Sequence, residues 1–220
     1  MPSVIRLEDV SFAYPGGRPV LDHAELSIPQ GAYVVVRGPS GAGKSTLLRL
    51  LCRLEEPEFG RILFRETPYP DMKPTALRRS VAYVHQTPNM VPGTVRENLL
   101  LPYGFRANAD IPVPDGESLR SMLDSLLLDD ISLDAEASGL SVGQAQRLCL
   151  ARTLMTVPDV LLLDEPTASL DADSAEVVYE VIERFFSSDR TVITISHSER
   201  EPAQTTHRLT IAEGRTELSS

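Results

Sequence analysis

"AYVVVRGPSGAGKSTLLRLL", residues Ala32 to Leu51, reads as strand, glycine-rich loop and helix in immediate succession. "AYVVVR" is a short β-like run that leads into the loop. Leu47, Leu48, Leu50 and Leu51 then recur at helical spacing. Between them Gly38 to Ser45 matches G-x-x-x-x-G-K-[ST], whose parts have separate jobs in gripping a phosphate chain. The backbone of Gly38, Ser40, Gly41, Ala42 and Gly43 can curl its N–H groups round an anion. Lys44 reaches phosphate oxygens, Ser45 offers a hydroxyl to Mg²⁺, Thr46 counts with them among the nucleotide-binding residues, and the following helix aims its positive end at the anion. The bland alternative is a glycine-rich turn before a helix. The lysine speaks against it, since Lys44 and Lys73 are the only lysines among 21 basic residues.

The composition narrows the partners. With 220 residues and 42% hydrophobic content the chain can bury one sizeable core, and its 31 acidic residues leave a net charge of -10. That balance opposes general affinity for nucleic acid, so no nucleic-acid partner is expected. Cys52 and Cys149 each lie in an apolar helical run, which predicts buried, reduced thiols. The N-terminus lacks signal-peptide features and no apolar run approaches the roughly 18 residues that span a bilayer, so a cytoplasmic chain is expected.

Outward from the loop, "VIRLEDVSFAY", "LDHAELSI" and "GRILFRE" alternate as strands, and a short helix from Thr75 to Arg79 precedes a strand at "VAYVHQ". From Thr94 the pattern is helical through "TVRENLLL", "ESLRSMLDSLLL" and "VGQAQRLCLARTLMT", with a loop expected over Asn108 to Ser118. "DVLLLDE" returns to a buried parallel strand, followed by a helix, a strand at "TVITISH" and a terminal hairpin. The expected fold is α/β: a P-loop NTPase core with a mainly parallel sheet, an N-terminal antiparallel β subdomain and an inserted α-helical subdomain. The chain is read as one domain, residues 1–86 and 158–220 forming the core and 87–157 the helical subdomain.

"VLLLDEP" supplies the acids that phosphate chemistry needs. Asp164 can hold Mg²⁺, and Glu165 beside it can orient or deprotonate a water. Alone the stretch reads equally as a strand entering a solvated turn, and the glycine-rich loop tips the balance. No guanine-reading N-K-x-D pattern is present, which favours ATP.

Taken together, the motifs and their order resemble the ATP-binding cassette (ABC) family, the nucleotide-binding subunits of ABC transporters. Tyr14 stands where that family places an aromatic against adenine. "GPSGAGKST" is similar to its Walker A loop, Gln86 in "VHQTP" to its Q-loop glutamine, "LSVGQ" to its signature motif and "VLLLDEP" to its Walker B strand. "ASLD", ending in Asp171, is similar to its D-loop, and His197 in "TISHS" to its switch histidine. In isolation Tyr14 reads as a strand aromatic, Gln86 as a polar strand end, Asp171 as a helix-entry residue and His197 as a surface loop residue.

The resemblance implies a homodimer that sandwiches two ATP head to tail. One subunit would give the Walker loops and the other the helix start of Ser141, Gly143 and Gln144. Glu165 would act as base, His197 as a polar link to the γ-phosphate, Gln86 as a contact to Mg²⁺ and water, and Asp171 as part of the nucleotide site. The family commonly has glycine at position 142, where this chain has Val. Ser141 and Gln144 form a capping-box pattern, which predicts that Ser141 caps a helix in which Val142 is already helical, leaving only Gly143 obliged to be small.

The resemblance further implies a separate membrane permease as partner, with this chain peripheral on the inner face of the plasma membrane. Thr87 to Phe105 would meet the permease, Met90, Val91, Leu100 and Tyr103 serving either as apolar contacts or as internal packing. Length and this segment look most like subunits proposed to export iron. The alternative is a soluble ATPase of the same family acting in assembly or repair, but repair members carry a long coiled-coil insertion between the Walker motifs and none is present.

Overall fold

The computed structural model describes residues 2–187, 189–196 and 202–220. The chain folds as two units. The first is Met1–Tyr83, Asp159–Asp164 and Phe186–Ser220, and the second is Val84–Pro158 and Glu165–Phe185. The helical segment drawn from sequence at 87–157 is thus extended by the stretch that follows Asp164.

In the first unit, β1 (Ser3–Ala13) and β2 (Pro19–Pro29) form an antiparallel pair. β3 (Tyr33–Arg37) leads through the phosphate-type loop into helix α1 (Lys44–Leu51). β4 (Phe59–Phe64), the two-residue β5 (Thr67–Pro68), helix α2 (Pro74–Ser80) and β6 (Val81–Val84) follow. The chain returns to this unit with β7 (Val160–Asp164), β8 (Thr191–Ile195), β9 (His207–Ala212) and β10 (Arg215–Ser219). A four-stranded antiparallel sheet has the order β2-β1-β4-β5, and a six-stranded sheet the order β10-β9-β3-β8-β7-β6. β3 runs parallel to β8 and β9, and β8 parallel to β7, while β9 and β10 close the expected hairpin. Both the antiparallel subdomain and the parallel core follow the reading from sequence.

Burial explains the strand sequences. Every residue of β7 and β8 is buried, as are the first four of β3, so both faces of the central strands select apolar side chains. Val34, Val36, Leu47, Leu50, Leu162 and Ile193 are fully buried in one core. The register also fixes where the chemistry sits. Ile195 pairs with Val36 on one side and with Asp164 on the other, so Asp164 and the entry to the glycine-rich loop lie level at the carboxyl edge of the sheet.

The second unit contains α3 (Val95–Leu100), α4 (Gly116–Asp124), α5 (Val142–Leu154) and α6 (Ala172–Phe185). α5 packs against α3 and α4, burying Leu99, Leu119, Leu123, Leu148 and Cys149. The loop expected over Asn108 to Ser118 ends earlier: Asp115 accepts a hydrogen bond from the Ser118 N–H at 2.8 Å and starts α4 at Gly116. An Asp followed by Gly and Glu reads as turn chemistry, but the apolar face of Leu119 and Leu123 draws those residues into the helix. Cys52 and Cys149 are free, buried thiols.

Leu162 is surrounded on both sheet faces, so Leu162→Ala is expected to lower the unfolding free energy by about 3 kcal/mol, measured by urea titration. A loss under about 1 kcal/mol would mean that the centre of the sheet is less tightly packed than its burial indicates.

Candidate functional site

The glycine-rich loop joins two buried elements while its own tip, Pro39 to Gly41, is exposed. Gly43 is the N-cap of α1 in the left-handed conformation, φ 94°, and a Cβ there would collide with Val20. Both facts demand glycine. Among the described residues no side chain caps α1, so the first amides of the helix face the loop, the arrangement that suits an anion. Lys44 follows at once. It is 8% exposed, and its ammonium donates to the carbonyls of Gly38 at 2.9 Å and Pro39 at 3.0 Å. The loop therefore holds its own cation ready beneath the exposed tip.

Ser45, the next residue, donates its hydroxyl to Asp164 Oδ1 at 3.0 Å. The other carboxylate oxygen, Oδ2, accepts the Tyr83 hydroxyl at 2.7 Å. Asp164 is buried, and two hydroxyl donors offset its desolvation. Burial, reinforced by Asp164, pushes the Tyr83 hydroxyl well above the usual phenol range, so Tyr83 stays protonated and donates. Ser45 and Asp164 form a set of hard oxygen donors. That set fits Mg²⁺, which keeps much of its shell as water and phosphate oxygen rather than being caged by protein. Among the described residues no cluster of three or more His, Cys, Asp or Glu side chains could hold a metal by itself.

Tyr14 is 37% exposed and meets Phe12 edge to face with ring centres 5.0 Å apart. Its hydroxyl lies 3.4 Å from Thr46 Oγ1 and accepts from Arg49 Nη1 at 3.4 Å. Tyr14, the loop and Asp164 thus belong to the first unit. Tyr83 and Arg49 do too, and sequence reasoning passed over both. Nothing local in "VAYV" of β6 marks Tyr83, which matters only because Asp164 lies beside it.

The second unit gathers the remaining residues. Gln86 Nε2 donates to Glu165 Oε2 at 2.9 Å. Glu165 has φ 51°, in the left-handed region that a residue with a Cβ rarely occupies. Its carbonyl accepts from the Ala168 N–H and from Gln146 Nε2, each at 3.2 Å.

The signature-like helix start is capped on both sides: the Gln144 N–H donates to Ser141 Oγ at 3.3 Å, and the Ser141 N–H donates to Gln144 Oε1 at 2.9 Å. Val142 is the first residue of α5, lacks a positive φ and is 60% exposed, as its position inside a capped helix requires. Gly143 is small for a reason that the sequence did not reveal. A Cβ there would lie 3.1 Å from Leu170 Cδ2 and 3.4 Å from the Ser169 carbonyl oxygen. Asp171 accepts from the Ser174 N–H at 2.9 Å and its hydroxyl at 3.0 Å. Those bonds hold its carboxyl below the ordinary carboxylate range. His197 lies outside the described residues.

Among the described residues no helix is long and apolar enough to cross a membrane. The family model described as "ABC transporter" matches residues 21–168. The chain is 34% identical over 211 residues to the phosphate import ATP-binding protein PstB 3 of Natronomonas pharaonis, covering 92% of this chain and 75% of that one. It is 33% identical over 199 residues to the probable iron export ATP-binding protein FetA of Escherichia coli K12, covering 90% of this chain and 86% of that one. Its fold matches a dimeric structure of a post-hydrolysis state of the ATP-binding cassette MJ0796 bound to ADP and Pi. That match has a TM-score of 0.82 and 26% identity, and covers 98% of each chain. With the loop, the paired acids and the capped helix start in place, the chain belongs to the ABC transporter family, as its ATP-binding and ATP-hydrolysing component.

Proposed function

We propose that this chain works with a separate membrane permease, that two copies close head to tail around two ATP molecules, and that hydrolysis reopens them. The observation that carries the reading is the meeting of Ser45 and Asp164 below the exposed tip of the phosphate loop. Lys44 binds phosphate oxygens by moving its ammonium from the Gly38 and Pro39 carbonyls. Ser45 and Asp164 would hold Mg²⁺, which would offset phosphate charge when bound. Tyr14 stacks on adenine, with Arg49 and Thr46 fixing its hydroxyl.

Glu165 takes the proton of a water whose oxygen bonds to the γ-phosphorus. The bond from that phosphorus to the bridging oxygen breaks, and ADP and phosphate leave. Gln86 aims the Glu165 carboxylate, and His197 links to the γ-phosphate. The exposed start of α5 at Ser141 and Val142 supports a role for this helix against the nucleotide of the second copy. Asp171, fixed by Ser174, borders the same nucleotide site. This reading makes the chain a cytoplasmic protein held on the inner face of the membrane by its permease. Export of a metal, iron, is the finer proposal, supported by the likeness to FetA.

The permease-facing segment divides in two. Tyr103 donates its hydroxyl to the Met155 carbonyl at 2.9 Å, which supports a packing role, whereas Phe105 is 54% exposed and Met90 half-buried, which supports contact with a partner.

Lys44→Ala is expected to weaken ATP binding at least about tenfold by titration calorimetry, and unchanged affinity would remove Lys44 from the phosphate site. Glu165→Gln is expected to bind ATP, to hydrolyse it on the order of 100-fold more slowly and to accumulate as a dimer in light scattering. A persistent monomer in ATP would overturn the sandwich. Met90→Glu with Phe105→Glu is expected to abolish co-purification with the permease while ATP affinity stays within about twofold. Retention of the permease would move the docking surface elsewhere.

A further inference from the structure

Gln146 lies one turn beyond Val142 on α5 and is 2% exposed. A long amide in such a place is costly unless its polar atoms are matched, and an aliphatic side chain would fill the same space without that cost. Gln146 is matched on one side only. Nε2 donates to the Glu165 carbonyl at 3.2 Å and to the Gln86 carbonyl at 3.5 Å. Both partners can only accept, so the amide faces them with nitrogen. Oε1 has no hydrogen-bond partner among the described residues.

We propose that Gln146 is a positioning residue for hydrolysis, whose side-chain amide ties the backbone of Glu165 to that of Gln86. The inference rests on Glu165 acting as the base. Gln86 and Glu165 are joined twice: directly, by Gln86 Nε2 on the Glu165 carboxylate, and through Gln146, which bridges the two main-chain carbonyls. The second tie fixes the frame from which the first is aimed. Glu165 has a backbone conformation that a non-glycine residue keeps only when its surroundings impose it. The Ala168 N–H and Gln146 both donate to its carbonyl and so help to impose it. A base displaced by about 1 Å can lose on the order of 100-fold in rate, so a tie of this kind acts on turnover rather than on ATP binding.

The test uses the full chain with Gln146→Leu, similar in volume without the donor, and Gln146→Glu, similar in shape. Gln146→Leu is expected to lower kcat by about 10- to 100-fold while KM and the Kd for ATP stay within about twofold. Gln146→Glu turns a carboxylate towards two carbonyls when ionised and regains one donor when protonated. Burial favours the protonated form, so the ratio of its kcat to that of the wild type is expected to climb as pH falls. Full kcat in Gln146→Leu, or a flat ratio across pH, overturns the proposal. If Gln146→Leu fails to fold by circular dichroism, the pH ratio of Gln146→Glu decides alone.

The base reading is tested separately. Wild-type turnover in Glu165→Gln would remove that reading, whereas an inactive Glu165→Gln beside a fully active Gln146→Leu would remove only the tie. Adding Gln146→Leu to Glu165→Gln is expected to slow turnover no further, because both act through one group.

Discussion

The parallel pairing of β3, β8 and β7 is the constraint from which the phosphate-binding half of this protein follows. Ile195 of β8 aligns with Val36 on one flank and Asp164 on the other, so a loop and an acid far apart in sequence emerge at the same level of one sheet edge. The strands that hold this register are buried on both faces, and the polar chemistry sits at their ends. A slip of one residue would turn Asp164 to the opposite face and separate it from Ser45. The same burial makes Asp164 dependent on hydroxyl donors, which explains why Ser45 and Tyr83 each occupy one of its oxygens.

The parts legible in the sequence are those in which a local pattern and its chemistry coincide. "YVVVR" followed by a glycine-rich loop could be placed because the strand, the phosphate pattern and the helix are contiguous. Ser141 and Gln144 could be placed because a capping box is a relation between residues three apart. What escaped notice is long-range. Tyr83 matters because Asp164, 81 residues away, ends β7 beside it. Gln146 resembles any polar residue near a helix start until its amide is found pointing at two carbonyls on other segments. Asp171 was legible as a helix-entry residue, and the bonds from Ser174 that cap α6 hold its carboxylate in place.

Glu165 differs from Asp164 in how it is held, although the two are consecutive. Asp164 ends a strand and has ordinary backbone geometry, with hydroxyls on its carboxylate. Glu165 breaks the strand direction by entering the left-handed region, and amides from two glutamines meet it on the side chain and on the carbonyl. The turn gives adjacent acids different surroundings, as the separate tasks proposed for them require.

Gly143 carries a last implication. The space that its missing side chain leaves is filled by Leu170 and by the carbonyl of Ser169, the two residues before Asp171. Glycine at this position is therefore a spacer between two segments of the same chain. The start of α5 and the turn into α6 are in contact, so a shift of one is felt by the other. A side chain at 143 would press on Leu170, so its cost falls on the segment that leads into Asp171 within a single copy of the protein.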